Sequence, residues 1–259
     1  MYRLLIILLL FFSLVQNSFA TVKEGGIEKR EIMDFNQILD SKTGKGIPKA
    51  KVSVPALKFV TITDNDGKFN LNAKLKGPAI LSVQKEGYKP FSMTISEIGR
   101  QPLVIGIEKS SLKDIILETA MIHLGDDSFS ENSANAGDFT QKSVGPNYTK
   151  EFYIPTVQAG QNVMLMIGSI IGIDTLTARS AGQSHVRTAY ASPPEVWCNG
   201  NKVCELNING DNQQINLPRG ILKTNGKNSI TLRAGKNLMQ TAYIDYDDIE
   251  FTNLSIEVQ

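Results

Sequence analysis

Among its 259 residues the chain has only two cysteines, two histidines and one tryptophan. That scarcity excludes several kinds of chemistry. Cys198 and Cys204 lack Cys-x-x-Cys redox spacing, and no zinc-ligand spacing accompanies them. His185 lies in the polar loop Arg179 to Arg187 near Ser180 and Ser184, yet no Gly-x-Ser-x-Gly elbow surrounds these serines. His123 alternates within an apolar stretch and reads as a packed or edge residue. Beyond Leu14 no apolar run approaches the ~20 residues a bilayer core requires. The most apolar later stretch, Val163 to Ile173, is short and interrupted by glycines and a serine. Basic residues are not clustered with aromatics, which speaks against nucleic acid as a partner.

What is present begins with a leader. Arg3 is followed by the apolar run Leu4 to Leu14, the polar Gln16-Asn17 and the small-residue end Ser18-Phe19-Ala20. This pattern predicts a signal peptide over 1–20, cleaved after Ala20, and a secreted, periplasmic or cell-surface location. Residues 21–35 are charged and glycine-containing and read as a mobile leader. About 240 residues remain, enough for two domains of the usual ~100–150 each. Without Arg3 the basic and acidic residues balance at 26 each, but the balance hides a split. Residues 36–107 hold 11 basic and 5 acidic side chains, net +6; residues 120–259 hold 10 and 14, net −4. Such asymmetry supports a boundary between them, with 108–119 as linker.

In the first half Ala50, Val52 and Val54 alternate with Lys51 and Ser53, as in a half-buried strand. Phe59 to Thr63 is rich in β-formers. Asp64-Asn-Asp-Gly67 then reads as a turn in which carboxylate and amide groups bond nearby backbone and glycine supplies positive φ. Phe69, Leu71 and Ala73 alternate again, and Ala79 to Val83 precedes a Gly87-Tyr88 turn. Five or six short strands predict a β-sandwich. With Asp40-Ser-Lys-Thr-Gly44, Ile47 to Val54, Thr63 to Phe69 and Gly87-Tyr88 in this order, the segment resembles the carboxypeptidase regulatory-like family. The resemblance implies an immunoglobulin- or transthyretin-like accessory module that supports, binds or spaces, in which the Gly-Tyr pair closes the last hairpin.

The second half continues in the same pattern. Segments at 115–117, 121–124, 152–154, 163–167, 195–197, 203–208, 214–217, 229–232 and 249–258 predict eight or more strands, with Asn199-Gly200 as the strongest hairpin signal. Leu124-Gly-Asp-Asp-Ser-Phe129, Val196-Trp-Cys-Asn-Gly200, Leu222 to Leu232 and Asp245 to Phe251 follow one another in an order similar to galactose-binding-like jelly rolls. The expected class is therefore all-β: an immunoglobulin/transthyretin-like module over 36–107, then a jelly roll over 120–259. The second resemblance implies carbohydrate or envelope-polymer binding without catalysis; another envelope protein and a small or accessory hydrolase remain the alternative readings.

Candidate ligand contacts are aromatics able to stack on sugar faces and a cation beside them: Tyr190, Trp197, Arg187 and Tyr243. Trp197 also reads as core, because it sits within an apolar strand. Asp126, Asp127, Asp247 and Asp248 could supply hard oxygen ligands to a structural calcium ion, the one cofactor these acids point to, if the first and last strands of the domain pair. Hydrogen-bonded turn acids are the competing reading. An oxidising compartment favours a Cys198–Cys204 disulfide. A two-residue Asn199-Gly200 turn would instead set Cys198 opposite Asn201, so the bond demands a wider loop. Asn147-Tyr-Thr149 and Asn253-Leu-Ser255 are glycosylation sequons if the host glycosylates.

Overall fold

The computed structural model describes residues 35–96, 98, 102–128, 139–185, 190–236 and 248–259, so the expected signal peptide and nearly all of the leader lie outside it. The described residues are all-β, with one short α-helix and two single 3-10 turns among them. β1 (Asn36–Asp40), β2 (Lys51–Val54), β3 (Phe59–Ile62), β4 (Lys68–Phe69), β5 (Ala79–Gln84), β6 (Phe91–Ile95) and β7 (Val104–Ile107) form a first sandwich. Its sheets run β4-β1-β7 and β3-β2-β5-β6, with β1 and β7 parallel and the other pairs antiparallel. The inward residues Ile38, Val52, Val54, Leu81 and Ile107 are fully or almost fully buried between them. Each such side chain contributes ~1.5–3 kcal/mol of burial.

Turn chemistry fixes this sandwich as the sequence suggests. Asp64 Oδ1 accepts from the backbone of Asp66 and Lys68, at 2.9 and 2.8 Å. Gly67 has φ +77°, and a Cβ there would stand 2.3 Å from the Ile38 carbonyl oxygen, so the turn is clamped onto β1. Tyr88 donates its hydroxyl to Asp40 Oδ2 at 3.0 Å, a structural use of the Gly-Tyr pair. The backbone N–H of Thr43 leads the interactions that hold the Asp40 carboxyl below its ordinary range.

The second sandwich contains β8 (Asp114–Glu118), β9 (Ile122–Leu124), β10 (Asn147–Ile154), β11 (Val163–Ile171), the helix α1 (Leu176–Ser180), β12 (Glu195–Cys198), β13 (Asn201–Glu205), β14 (Gly210–Asn216), β15 (Gly226–Arg233) and β16 (Ile249–Val258). One sheet runs β10-β15-β12-β13; the other runs β14-β11-β16-β8, with β9 also on β16. The expected linker 108–119 thus contains a strand: β8 leaves the first sandwich and pairs at once with the last strand. Leu165, Ile167, Val196, Ile230, Phe251 and Leu254 fill the core.

β5 is buried on both faces, which a free-standing sandwich would not allow. Its outward Ile80 packs with Met121 and Ile171 of the second sandwich, with Phe139 against them. Around this apolar contact the Ser92 and Ser169 hydroxyls lie 2.9 Å apart, and Ser169 donates to Asp211 Oδ1 at 2.7 Å. Asp211 also accepts from the Thr94 backbone and hydroxyl. Lys89 reaches Glu257 at 2.7 Å and Asp114 at 3.3 Å. The two sandwiches therefore meet through a packed, hydrogen-bonded face.

The cysteines correct the disulfide expectation. Asn199 and Gly200, at φ +50° and +77°, make a two-residue turn, and Cys198 pairs with Asn201 while Cys204 pairs with Val196. Bridging needs Cα atoms within ~7 Å and converging side chains, which this register does not offer. Both thiols are free. Burial pushes the Cys198 thiol up to about 11, which makes it inert.

Candidate binding surfaces

Three places gather polar chemistry. On β12 the alternation sends Val196 and Cys198 into the core and places Glu195 and Trp197 on the opposite face, so Trp197 is not the core residue its surroundings suggested. Its indole N–H donates to Glu195 Oε2 at 2.9 Å, and the Arg233 guanidinium lies 5.3 Å from its ring centroid. Glu195 also receives Lys202 at 2.7 Å and Arg233 at 3.4 Å. Burial would raise the Glu195 carboxyl, but the bonds from Lys202 and Trp197 outweigh it and hold it low. Tyr190 is 54% exposed, with the Arg179 guanidinium 5.6 Å from its ring. Arg187 and Tyr243 lie outside the described residues.

The acids behave differently from one another. β9 pairs with β16 and brings Asp127 to Asp248, as the calcium expectation required, but His123 stands with them. Asp248 Oδ1 accepts from the Asp127 backbone and from His123 Nε2, each at 2.8 Å. His123 Nδ1 lies 2.7 Å from the Gln141 carbonyl oxygen. Both ring nitrogens therefore face acceptors, the arrangement that suits an imidazolium. Burial would lower the His123 pKa, yet the Asp248 carboxylate and the Gln141 carbonyl raise it. His123, Asp127 and Asp248 thus bring a ring nitrogen and carboxylate oxygens within 4.8 Å of one another, and the nitrogen sets this group apart from the all-oxygen set that calcium prefers. Gly125 makes the arrangement possible, since a Cβ there would lie 2.2 Å from Asp248 Oδ1. Asp126 is exposed and caps Ser128 N, a turn role, and Asp247 lies outside the described residues. The catalytic alternative gains little from the geometry: the Ser180 hydroxyl donates to the Leu176 carbonyl, Ser184 is buried, and His185 is exposed.

The third place had no sequence signal of its own. A groove of about 400 Å³ lies where the sandwiches meet. Its floor is the outer face of the β14-β11-β16-β8 sheet, where Gln214, Met166, Ser255 and Ile116 stand side by side across four strands. Lys89 and Phe91 of the first sandwich form its wall. Asn253 lies in the middle of β16 with φ +58°, is 3% exposed, and has no partner among the described residues for either its amide oxygen or nitrogen. A non-glycine residue held in the left-handed region inside a strand is strained, and such strain collects at functional positions. Gly168 faces it across the strands; a Cβ there would stand 2.6 Å from the Asn253 Cβ and 2.5 Å from Ser92 Oγ. Burial also removes Asn253 from use as a glycosylation acceptor in the folded chain.

The family model of the CarboxypepD_reg-like domain matches residues 37–121. No curated protein matches the chain. Solved structures with detectable similarity include the crystal structure of BuGH86wt in complex with neoagarooctaose, at 11% identity and TM-score 0.30, covering 81% of this chain and 27% of that one. The β-D-glucuronidase of Dictyoglomus thermophilum is similar at 15% identity and TM-score 0.27, covering 56% of this chain and 29% of that one. This chain thus spans little more than a quarter of the length of either structure, and neither likeness bears on activity.

Proposed function

We propose that the protein is an exported, non-catalytic binding protein that takes a carbohydrate or another envelope polymer on its second sandwich, a galactose-binding-like jelly roll. The observation that carries this reading is the groove on the outer face of β14, β11, β16 and β8. Its floor sets amide and hydroxyl groups, among them Gln214, Ser255 and the unpartnered Asn253, beside the apolar Met166 and Phe91. Amides donate and accept at once, which matches the hydroxyls of a sugar, and the apolar groups suit its C–H faces. The first sandwich then acts as a stabiliser that also walls the groove. Full-length mature protein is to be tested for binding to cellulose, chitin, xylan, mannan and galactan, alongside a Gln214→Ala/Ser255→Ala variant. Saturable binding weakened by the double substitution supports the reading; absence of binding to all of them ends it.

A second reading, a structural envelope component that joins another protein by strand addition, draws on one observation. β3 is the edge of its sheet, and Val60 and Ile62 on it are 62% and 64% exposed. Concentration-dependent association abolished by Val60→Lys would favour it.

A further inference from the structure

A second cleft, of about 430 Å³, opens between the first sandwich and the segments 119–121 and 140–141 of the second. Its chemistry is one-signed. Lys51 and Lys58 line it, and among the described residues no Asp or Glu does. Neither lysine forms an ion pair among the described residues, whereas Lys89 at the groove is bound to two carboxylates. The first sandwich as a whole carries the net +6 already noted, so its field reinforces these two charges.

The backbone gives the cleft a fixed form. Lys58 stands at φ +51° after the turn Pro55–Leu57, with its N–H bonded to the Pro55 carbonyl at 2.8 Å. Thr140 donates its hydroxyl to the same carbonyl at 3.1 Å, which ties the second sandwich across the mouth. On the floor, Ser53 of β2 pairs with Ser82 of β5. Ser82 is 4% exposed, and its hydroxyl has no partner among the described residues. A buried hydroxyl left unbonded costs ~1–3 kcal/mol, so its presence in a well-packed strand calls for an acceptor supplied from outside. Val83 and Leu81 on either side of it are core residues, and an alanine would have packed equally well there.

Two free ammonium groups, a floor of serine hydroxyls and the apolar edges of Phe59 and Met121 describe a receptor for an anionic group carried on a hydroxylated, partly apolar ring. We propose that this cleft binds the carboxylate or sulfate group of an acidic polysaccharide, with Lys51 and Lys58 facing the charge and Ser53 and Ser82 facing the ring hydroxyls. The choice of a sugar over other anions rests on the carbohydrate reading above, but the site is separate from the groove.

The test uses the full mature chain and three probes: polygalacturonate for carboxylate, dextran sulfate for sulfate, and vesicles of phosphatidylcholine with phosphatidylglycerol for a lipid anion. Lys51→Gln/Lys58→Gln removes both charges at exposed positions without touching the core, and Lys51→Arg/Lys58→Arg restores them. The expected result is binding to at least one acidic polymer that weakens about tenfold or more in the glutamine variant, recovers in the arginine variant and falls with added salt. Ser82→Ala is expected to weaken the same binding about threefold while leaving the melting temperature unchanged or raised. Unchanged affinity in the glutamine variant, or vesicle binding equal to polymer binding, overturns the proposal. Neutral polymers separate the two readings. If they bind and ignore the lysines while acidic ones bind no better, this inference fails alone; if only acidic polymers bind, and through the lysines, the groove fails alone.

Discussion

Glu118 offers the most direct test of how the second sandwich is held together. It ends β8, and its carboxylate accepts from the Thr119 and Ala120 backbone at 3.0 and 2.9 Å, from Lys150 at 2.9 Å and from the Tyr148 hydroxyl. Tyr148 and Lys150 belong to β10, in the facing sheet, so one side chain clamps the edges of both sheets. Burial alone would raise the Glu118 carboxyl, but the bonds from Tyr148, Ala120 and Lys150 overcome it and bring it to about 2, from an ordinary 4.5. At 1.36 kcal/mol per pKa unit that difference corresponds to about 3 kcal/mol. Solvent reaches Lys150, and glutamine keeps an acceptor for Tyr148, so Glu118→Gln is expected to lose ~1–2 kcal/mol at pH 7. A depressed carboxyl contributes stability that is present above its unfolded value and lost as pH falls through the folded one. The gap between the wild type and Glu118→Gln should therefore be full at pH 7, shrink below about 4.5 and close near 2. Urea unfolding of both proteins across that range measures it. A gap that persists unchanged at low pH, or none at pH 7, refutes the reasoning.

Three further outcomes follow from the packing. Gly46→Ala places a Cβ 1.9 Å from the Asp66 carbonyl oxygen and is expected to cost ~3 kcal/mol or more; a melting temperature equal to wild type would contradict the clamp between these two turns. Asp211→Ala removes the acceptor shared by Thr94 and Ser169 and should lower stability by about 2 kcal/mol in chemical denaturation, and a change below about 0.5 would mean that the polar rim contributes nothing. Unfolding the purified, unreduced protein should release two titratable thiols with Cys198 silent beforehand, whereas an intact mass lower by two hydrogens would establish the disulfide after all.

The sequence was most legible where local chemistry decides the outcome. Asn199-Gly200 makes its turn, Asp64 caps the Gly67 turn, and the alternation at Ala50, Val52 and Val54 gives β2 its inner face. It was least legible where two distant segments must meet. Nothing local distinguishes Ile80 as an outward residue that needs Ile171 to cover it, because a strand buried on both faces reads simply as apolar. His123 and Asp248 lie far apart in the chain, and only the β9–β16 pairing shows that a turn acid and a packed histidine are hydrogen-bonded to each other. Trp197 could have been placed from its own neighbours: Glu195 shares its parity, and a strand that sends an acid outward sends the residue two positions on outward as well.

The pairing of β8 with β16 has a meaning in time as well as in space. β16 follows every other strand of its sheet in the sequence, yet it lies in the interior, between β11 and β8. Until it arrives, β8 and β11 have no neighbour to join them and two exposed edges between them. The second sandwich is thus a structure of high contact order whose sheet closes only once β16 is in place. Until then the unpaired edges of β8 and β11 stay open to edge-to-edge aggregation. Removing β16 would therefore leave the five-stranded sheet without its middle.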